Sequence, residues 1–130
     1  MSAKILIVDD DIDFRDSTTA ALEAQGFHVR SVANGKEARA ALMTEKPDLI
    51  ILDVMMSWAL EGLRLSLELK RDAAFRDIPQ VMVTSIQDSE YARAFPADQP
   101  LRVDELLRKP VEMAHLVSVV RKALSVREEV

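Results

Sequence analysis

Four groups of side chains in this 130-residue chain have types and spacing that suit a shared reaction. They are the acidic run Asp9-Asp10-Asp11, the aspartate Asp53, the hydroxyl pair Thr84-Ser85 and the lysine of Lys109-Pro110. Each stands at or just past the end of a short apolar run. If those runs are strands of one parallel sheet, three carboxylates (Asp9, Asp10, Asp53), the Thr84 hydroxyl and the Lys109 ammonium meet at its carboxyl edge, where open α/β sheets bind ligands. Two carboxylates about 5 Å apart repel by roughly 3 kcal/mol at an effective dielectric of 20, so the cluster needs positive charge or a retained proton. Lys109 supplies one charge. A hard divalent cation supplies more, and an all-oxygen site suits Mg2+ or Mn2+. A carboxylate held beside such cations is placed to attack phosphorus and form an acyl phosphate.

The elements that must position these groups can be read from the periodicity. Lys4–Val8 is a β-branched run, the pattern of a strand buried on both faces. A helix is predicted from about Ile12 to Gln25, N-capped by Asp11, with Asp13 and Asp16 near its positive end and Gly26 at its C-terminal cap. A second strand follows from Phe27 to Val32. A helix over 36–45 then places Ala38, Ala41 and Leu42 on one face and stops at Pro47. The third strand runs from Asp48 to Asp53. The next helix, Glu61 to Asp72, carries Leu63 and Leu67 on one row and Leu65 and Leu69 on a second. Strand four is Gln80 to Thr84, and strand five lies near Leu106-Leu107-Arg108. Between them, Tyr91 and Phe95 fit a short helix interrupted by Pro96 and Pro100. The last helix, Met113 to Ser125, shows the 3.6-residue pattern Met113, Leu116, Val117, Val120, Leu124. Five strands alternating with five helices predict a doubly wound α/β domain with right-handed crossovers.

Composition removes several function classes. Hydrophobic residues make up 48% and charged residues 30%, which excludes a wholly disordered chain. A net charge of -5 argues against a broad basic face for nucleic acid. The absence of cysteine removes disulfides, thiolate metal sites and a thiol nucleophile; two histidines, His28 and His115, cannot build a histidine-rich zinc site. Gly26, Gly35 and Gly62 form no glycine-rich phosphate loop. The longest apolar stretch, Leu49 to Leu60, is interrupted and too short for a bilayer, so no membrane association and a cytoplasmic location are expected.

Taken together, the Asp9-Asp10-Asp11 run, Leu52-Asp53, Val83-Thr84-Ser85 and Lys109-Pro110 closely resemble the receiver domain of two-component response regulators, in its single-domain, chemotaxis-regulator-like form. The resemblance spans Lys4 to about Leu124, in the expected order and spacing. It implies a flavodoxin-like (βα)5 sandwich with strand order 2-1-3-4-5. It implies that Asp53 accepts a phosphoryl group from a sensor histidine kinase or a histidine phosphotransfer protein. Asp9 and Asp10 match the acidic pair for Mg2+, one directly and one largely through water, with Asp53 and the backbone carbonyl of Met55 completing the set. Thr84 matches the hydroxyl that relays the signal, Lys109 the lysine that pairs with the phosphoryl oxygen, and Pro110 the residue joined to it by a cis peptide.

The chain departs from the family pattern in three places. Ser57 stands where a proline is usual, and the stretch from Ser57 to Gly62, which includes Trp58, is about one residue longer. Leu106 replaces the switch aromatic. The stretch 87–102 lacks the usual Gly-Ala approach to strand five. Met55 also occupies the position where an aspartate-nucleophile phosphohydrolase carries its acid/base aspartate, which speaks against a turnover enzyme. Apolar Met55 and Ile86 beside the site predict slow loss of the phosphoryl group. The reading is a single receiver domain over 1–130 with no effector domain. It would be a phosphoacceptor that catalyses only its own phosphorylation and dephosphorylation, monomeric or weakly dimeric, with a protein partner as output. The rival is a degenerate receiver that binds partners regardless of phosphorylation.

Overall fold

A computed structural model describes residues 2–54, 61–85 and 105–128. Five strands, β1 (Lys4–Val8), β2 (His28–Val32), β3 (Leu49–Asp53), β4 (Gln80–Thr84) and β5 (Glu105–Arg108), form one sheet. All neighbours pair in parallel, in the order β2-β1-β3-β4-β5. Four helices are present among the described residues: α1 (Ile12–Glu23), α2 (Gly35–Thr44), α3 (Glu61–Arg71) and α4 (Met113–Glu128). The short helix expected around Tyr91 and Phe95 lies outside the described residues, as do Met55, Ser57, Trp58 and Ile86.

The two-residue period of the strands sorts their side chains into two cores. Leu6, Val8, Ile50, Leu52 and Met82 pack with Ala38, Ala41 and Leu42 of α2 and with Leu63, Leu65 and Leu69 of α3. On the other face Ile5, Ile7, Leu49, Ile51, Val81 and Val83 pack with Leu22 of α1 and Leu116, Val120 and Leu124 of α4. With both faces covered, β1, β3 and β4 read as continuous apolar runs.

Helix ends follow local chemistry. The Asp11 carboxylate accepts the N–H groups of Asp13 and Phe14, and Asn34 accepts that of Glu37. α1 stops two residues short of the expected Gln25, and Gly26 makes the exit at φ 92°.

α3 corrects one expectation. Leu67 does not share the inward row with Leu63; it is 38% exposed, while Gly62 and Ser66 are buried. The reason is polar and steric. Ser66 hydrogen-bonds the fully buried Gln80 of β4, and Gly62 lies against the main chain of Asp53. The helix is therefore rotated onto its small residues, and Leu67 turns outward.

Candidate functional site

The carboxyl edge of the sheet collects the predicted groups. Asp9 directly follows β1 and is 1% exposed; Asp53 ends β3 and is 5% exposed. Asp10, the next residue after Asp9, faces solvent. One carboxylate oxygen from each of Asp9, Asp10 and Asp53 lies within 4.8 Å of the others. Lys109 follows β5 and reaches across the edge: its Nζ stands 2.9 Å from Asp9 Oδ2, 3.5 Å from Asp53 Oδ2 and 4.0 Å from Asp11 Oδ2. Thr84, at the end of β4, is buried, and its carbonyl accepts the Lys109 N–H at 2.8 Å. The Lys109–Pro110 peptide is cis. Leu106 is half-buried, pairs in register with Met82 and packs on the α2–α3 core. Met55 lies outside the described residues.

Backbone contacts fix these positions. The Asp9 N–H donates to Val32, and its Oδ1 accepts the Asp11 N–H at 2.9 Å. The Val54 N–H donates to Val83, tying the residue after Asp53 to β4. A side chain at Gly62 would place its Cβ 1.5 Å from the Asp53 carbonyl oxygen, so only glycine permits this approach of α3 to the site.

Among the described residues the cluster carries more carboxylates than ammonium groups. One ammonium faces three carboxylates, with Asp11 as a fourth at the rim. Burial pulls the Lys109 pKa down, but the contact with Asp9 and the charges of Asp53, Asp9 and Asp11 outweigh it, so the pKa is raised and the ammonium is held. Asp9 Oδ2 is buried, with the Lys109 ammonium 2.9 Å away as its partner among the described residues. A buried carboxylate oxygen with a spare lone pair, in an all-oxygen set with excess negative charge, fits a hard divalent cation. Asp9, Asp10 and Asp53 are the side chains that would hold it.

Two contributors, Phe14 and Glu61, escaped the reading of spacing alone, and a third, Asp11, was expected only as a helix cap. The centre of the Phe14 ring lies 4.6 Å from Lys109 Nζ, a cation–π contact from the first turn of α1. Asp11 serves both as helix cap and as a distant partner of Lys109. Glu61, buried at the start of α3, accepts the Gly35 N–H at 2.6 Å. For Phe14 the available signal was helical spacing from the acidic run; for Glu61 nothing in the sequence marked its carboxylate as buried.

Comparison with known proteins agrees with this geometry. The family model described as the response regulator receiver domain matches residues 5–121. The protein PilH of Pseudomonas aeruginosa is 33% identical over 123 residues, covering 95% of this chain and 98% of that protein. The phosphate regulon transcriptional regulatory protein PhoB of the same organism is 34% identical over 122 residues, but this chain spans only 51% of its length. Most of the similar curated relatives are likewise about twice as long. Among solved structures, the signal receiver domain of a signal transduction histidine kinase from Syntrophus aciditrophicus superimposes with a TM-score of 0.85 at 32% identity, over 96% of this chain and 92% of that one. A CheY-like receiver domain protein from Methanospirillum hungatei gives 0.83 at 26% identity, over 99% and 98%. No described helix is long and apolar enough to cross a membrane. With a family match across most of its length, strand order β2-β1-β3-β4-β5 and the acidic cluster facing Lys109, the chain belongs to the response regulator receiver domain family of two-component systems.

Proposed function

We propose that Asp53 is the phosphoacceptor of a two-component or phosphorelay pathway, taking its phosphoryl group from a phosphohistidine of a sensor histidine kinase or a histidine phosphotransfer protein. The observation that carries this reading is the approach of Lys109 Nζ to Asp53 Oδ2, 3.5 Å, inside a cluster of three carboxylates. An oxygen of Asp53 attacks phosphorus in line, the P–N bond breaks, and its electron pair stays on the donor imidazole, which takes up a proton from solvent. Lys109 supplies an ammonium to one phosphoryl oxygen, and the Thr84 hydroxyl, on the neighbouring strand end, donates to another. Asp9 and Asp10, with Asp53 and the Met55 carbonyl, would hold Mg2+ or Mn2+. When bound, that cation neutralises charge on the transferring phosphoryl group.

Phosphorylation then shifts a pre-existing equilibrium at Thr84 and the β4–β5 edge, and so changes affinity for a protein partner. The chain acts on its own aspartate and has no other substrate. The test is intact-mass analysis after incubation with acetyl phosphate, with and without Mg2+. Wild type gains one phosphoryl group only with Mg2+, and Asp53→Asn gains none. A gain in Asp53→Asn equal to that of wild type would overturn the assignment.

A further inference from the structure

Lys109 braces the acidic cluster from the side of α1, where Phe14 lies under its ammonium. A second brace crosses the other face, between α2 and α3. The Asp9 N–H donates to the Val32 carbonyl at 3.1 Å, and the chain continues through Ala33 and Asn34 to Gly35, the first residue of α2. The Gly35 N–H donates to Glu61 Oε2 at 2.6 Å. The next residue, Gly62, donates its N–H to the Val54 carbonyl at 2.9 Å and lies against the Asp53 main chain. The β1–β3 ladder, which pairs Val8 with Leu52, already sets the two strand ends side by side; this second route over α2 and α3 is made of backbone contacts joined through one side chain, that of Glu61.

That joint is a strong one. Glu61 is 8% exposed, and its carboxylate meets one of the unsatisfied N–H groups at the positive end of α2. Hydrogen bonds to an ionised acceptor are about twice as strong as neutral ones. The space is also tight, since a Cβ on Gly35 would sit 3.0 Å from Glu61 Oε2.

We infer that Glu61 is a positioning residue for the acidic cluster: its tie to Gly35 seats the start of α3, and with it Gly62 against the Asp53 main chain, and so fixes the presentation of Asp53 to Asp9 and Asp10 and the affinity for a divalent cation. This rests on the reading of the cluster as a cation site. The experiment is Mn2+ titration followed by loss of the free-ion EPR signal, on wild type, Glu61→Ala, Glu61→Gln, Gly35→Ala and the Glu61→Ala/Gly35→Ala double variant. Thermal unfolding is recorded in parallel. Glu61→Ala weakens Mn2+ binding about tenfold, the usual cost of losing a partner that orients metal ligands. Glu61→Gln keeps an acceptor oxygen and recovers most of the affinity. Gly35→Ala displaces the carboxylate and gives an intermediate loss, and the double variant binds no more weakly than Glu61→Ala because both act through one contact.

A purely structural role would lower the unfolding temperature and leave Mn2+ affinity unchanged, and that result overturns the inference. So does a double variant whose losses multiply. If Glu61→Ala does not fold, Gly35→Ala and Glu61→Gln decide, with Gly35→Ala expected to bind more weakly than Glu61→Gln. Mn2+-dependent phosphorylation of a wild type whose Glu61 variants bind normally would reject the role of Glu61 alone. Normal Mn2+ binding without any phosphoryl uptake would reject the phosphoacceptor reading alone.

Discussion

Two charge clusters on this molecule are built alike with the signs exchanged. At the carboxyl edge of the sheet, one ammonium stands between two carboxylates: Lys109 at 2.9 Å from Asp9 and 3.5 Å from Asp53. On the α2–α3 surface, one carboxylate stands between two guanidiniums: Glu68 at 2.5 Å from Arg39 and 3.4 Å from Arg64. Burial separates them. The Asp9 and Asp53 side chains are 1% and 7% exposed, whereas Arg39, Arg64 and Glu68 are 51%, 70% and 42% exposed. Water screens the surface group and makes its balance of charge nearly irrelevant. The buried group has little screening, and among the described residues it carries a surplus of negative charge, which suits the cation and the phosphoryl group of the proposed function. On that reading, similar contact distances mark adhesion in one region and chemistry in the other.

The largest expected break of this comparison is Lys109→Ala. Phosphoryl uptake from acetyl phosphate falls about 100-fold, the scale for removing one preorganised donor to developing charge. Stability measured by urea unfolding without divalent cation falls by about 3 kcal/mol, because buried carboxylates lose their counter-charge. Adding Mg2+ restores part of that loss by binding the folded state. Glu68→Gln, its counterpart on the surface, costs about 0.5 kcal/mol, fades in high salt and leaves phosphoryl uptake unchanged.

Titration sharpens the contrast through opposite signs. The Lys109 pKa is raised above its ordinary 10.5, after the neighbouring carboxylates outweigh burial. Its stabilisation is therefore fully present below that ordinary value and is lost as pH climbs through the raised one. The Glu68 pKa is lowered from its ordinary 4.5, chiefly by the hydrogen bond from Arg39. Its smaller contribution is present above that value and disappears as pH falls through the lowered one. Urea midpoints of wild type minus Lys109→Ala across alkaline pH, and of wild type minus Glu68→Gln across acid pH, read the two windows separately.

How much of this was legible in the sequence depends on which interactions are local. β1, β3 and β4 stand close to where their apolar runs placed them, since a strand buried on both faces writes itself as a largely continuous hydrophobic word; the edge strand β2, mostly exposed, also lies within the range expected for it. The convergence of Asp9, Asp53, Thr84 and Lys109 followed from strand ends alone, because a parallel sheet brings every carboxyl end to one edge. Leu67 was misplaced because hydrophobic spacing carries no notice that Gly62 must touch Asp53 or that Ser66 must meet Gln80. The Glu61–Gly35 tie spans 26 positions in sequence, and nothing in a glutamate at a helix start reveals which distant N–H it will meet. The Phe14 ring under Lys109 is of the same kind: its partner is set by packing and not by its neighbours in the chain.

The most direct test of the central claim is chemical mapping of the acceptor. After acetyl phosphate and Mg2+, borohydride reduces an aspartyl phosphate to homoserine, which peptide mass spectrometry then locates. The account predicts homoserine at position 53 and at no other aspartate. Reduction at position 9 or 10, or a phosphorylated protein with no homoserine at 53, would contradict it.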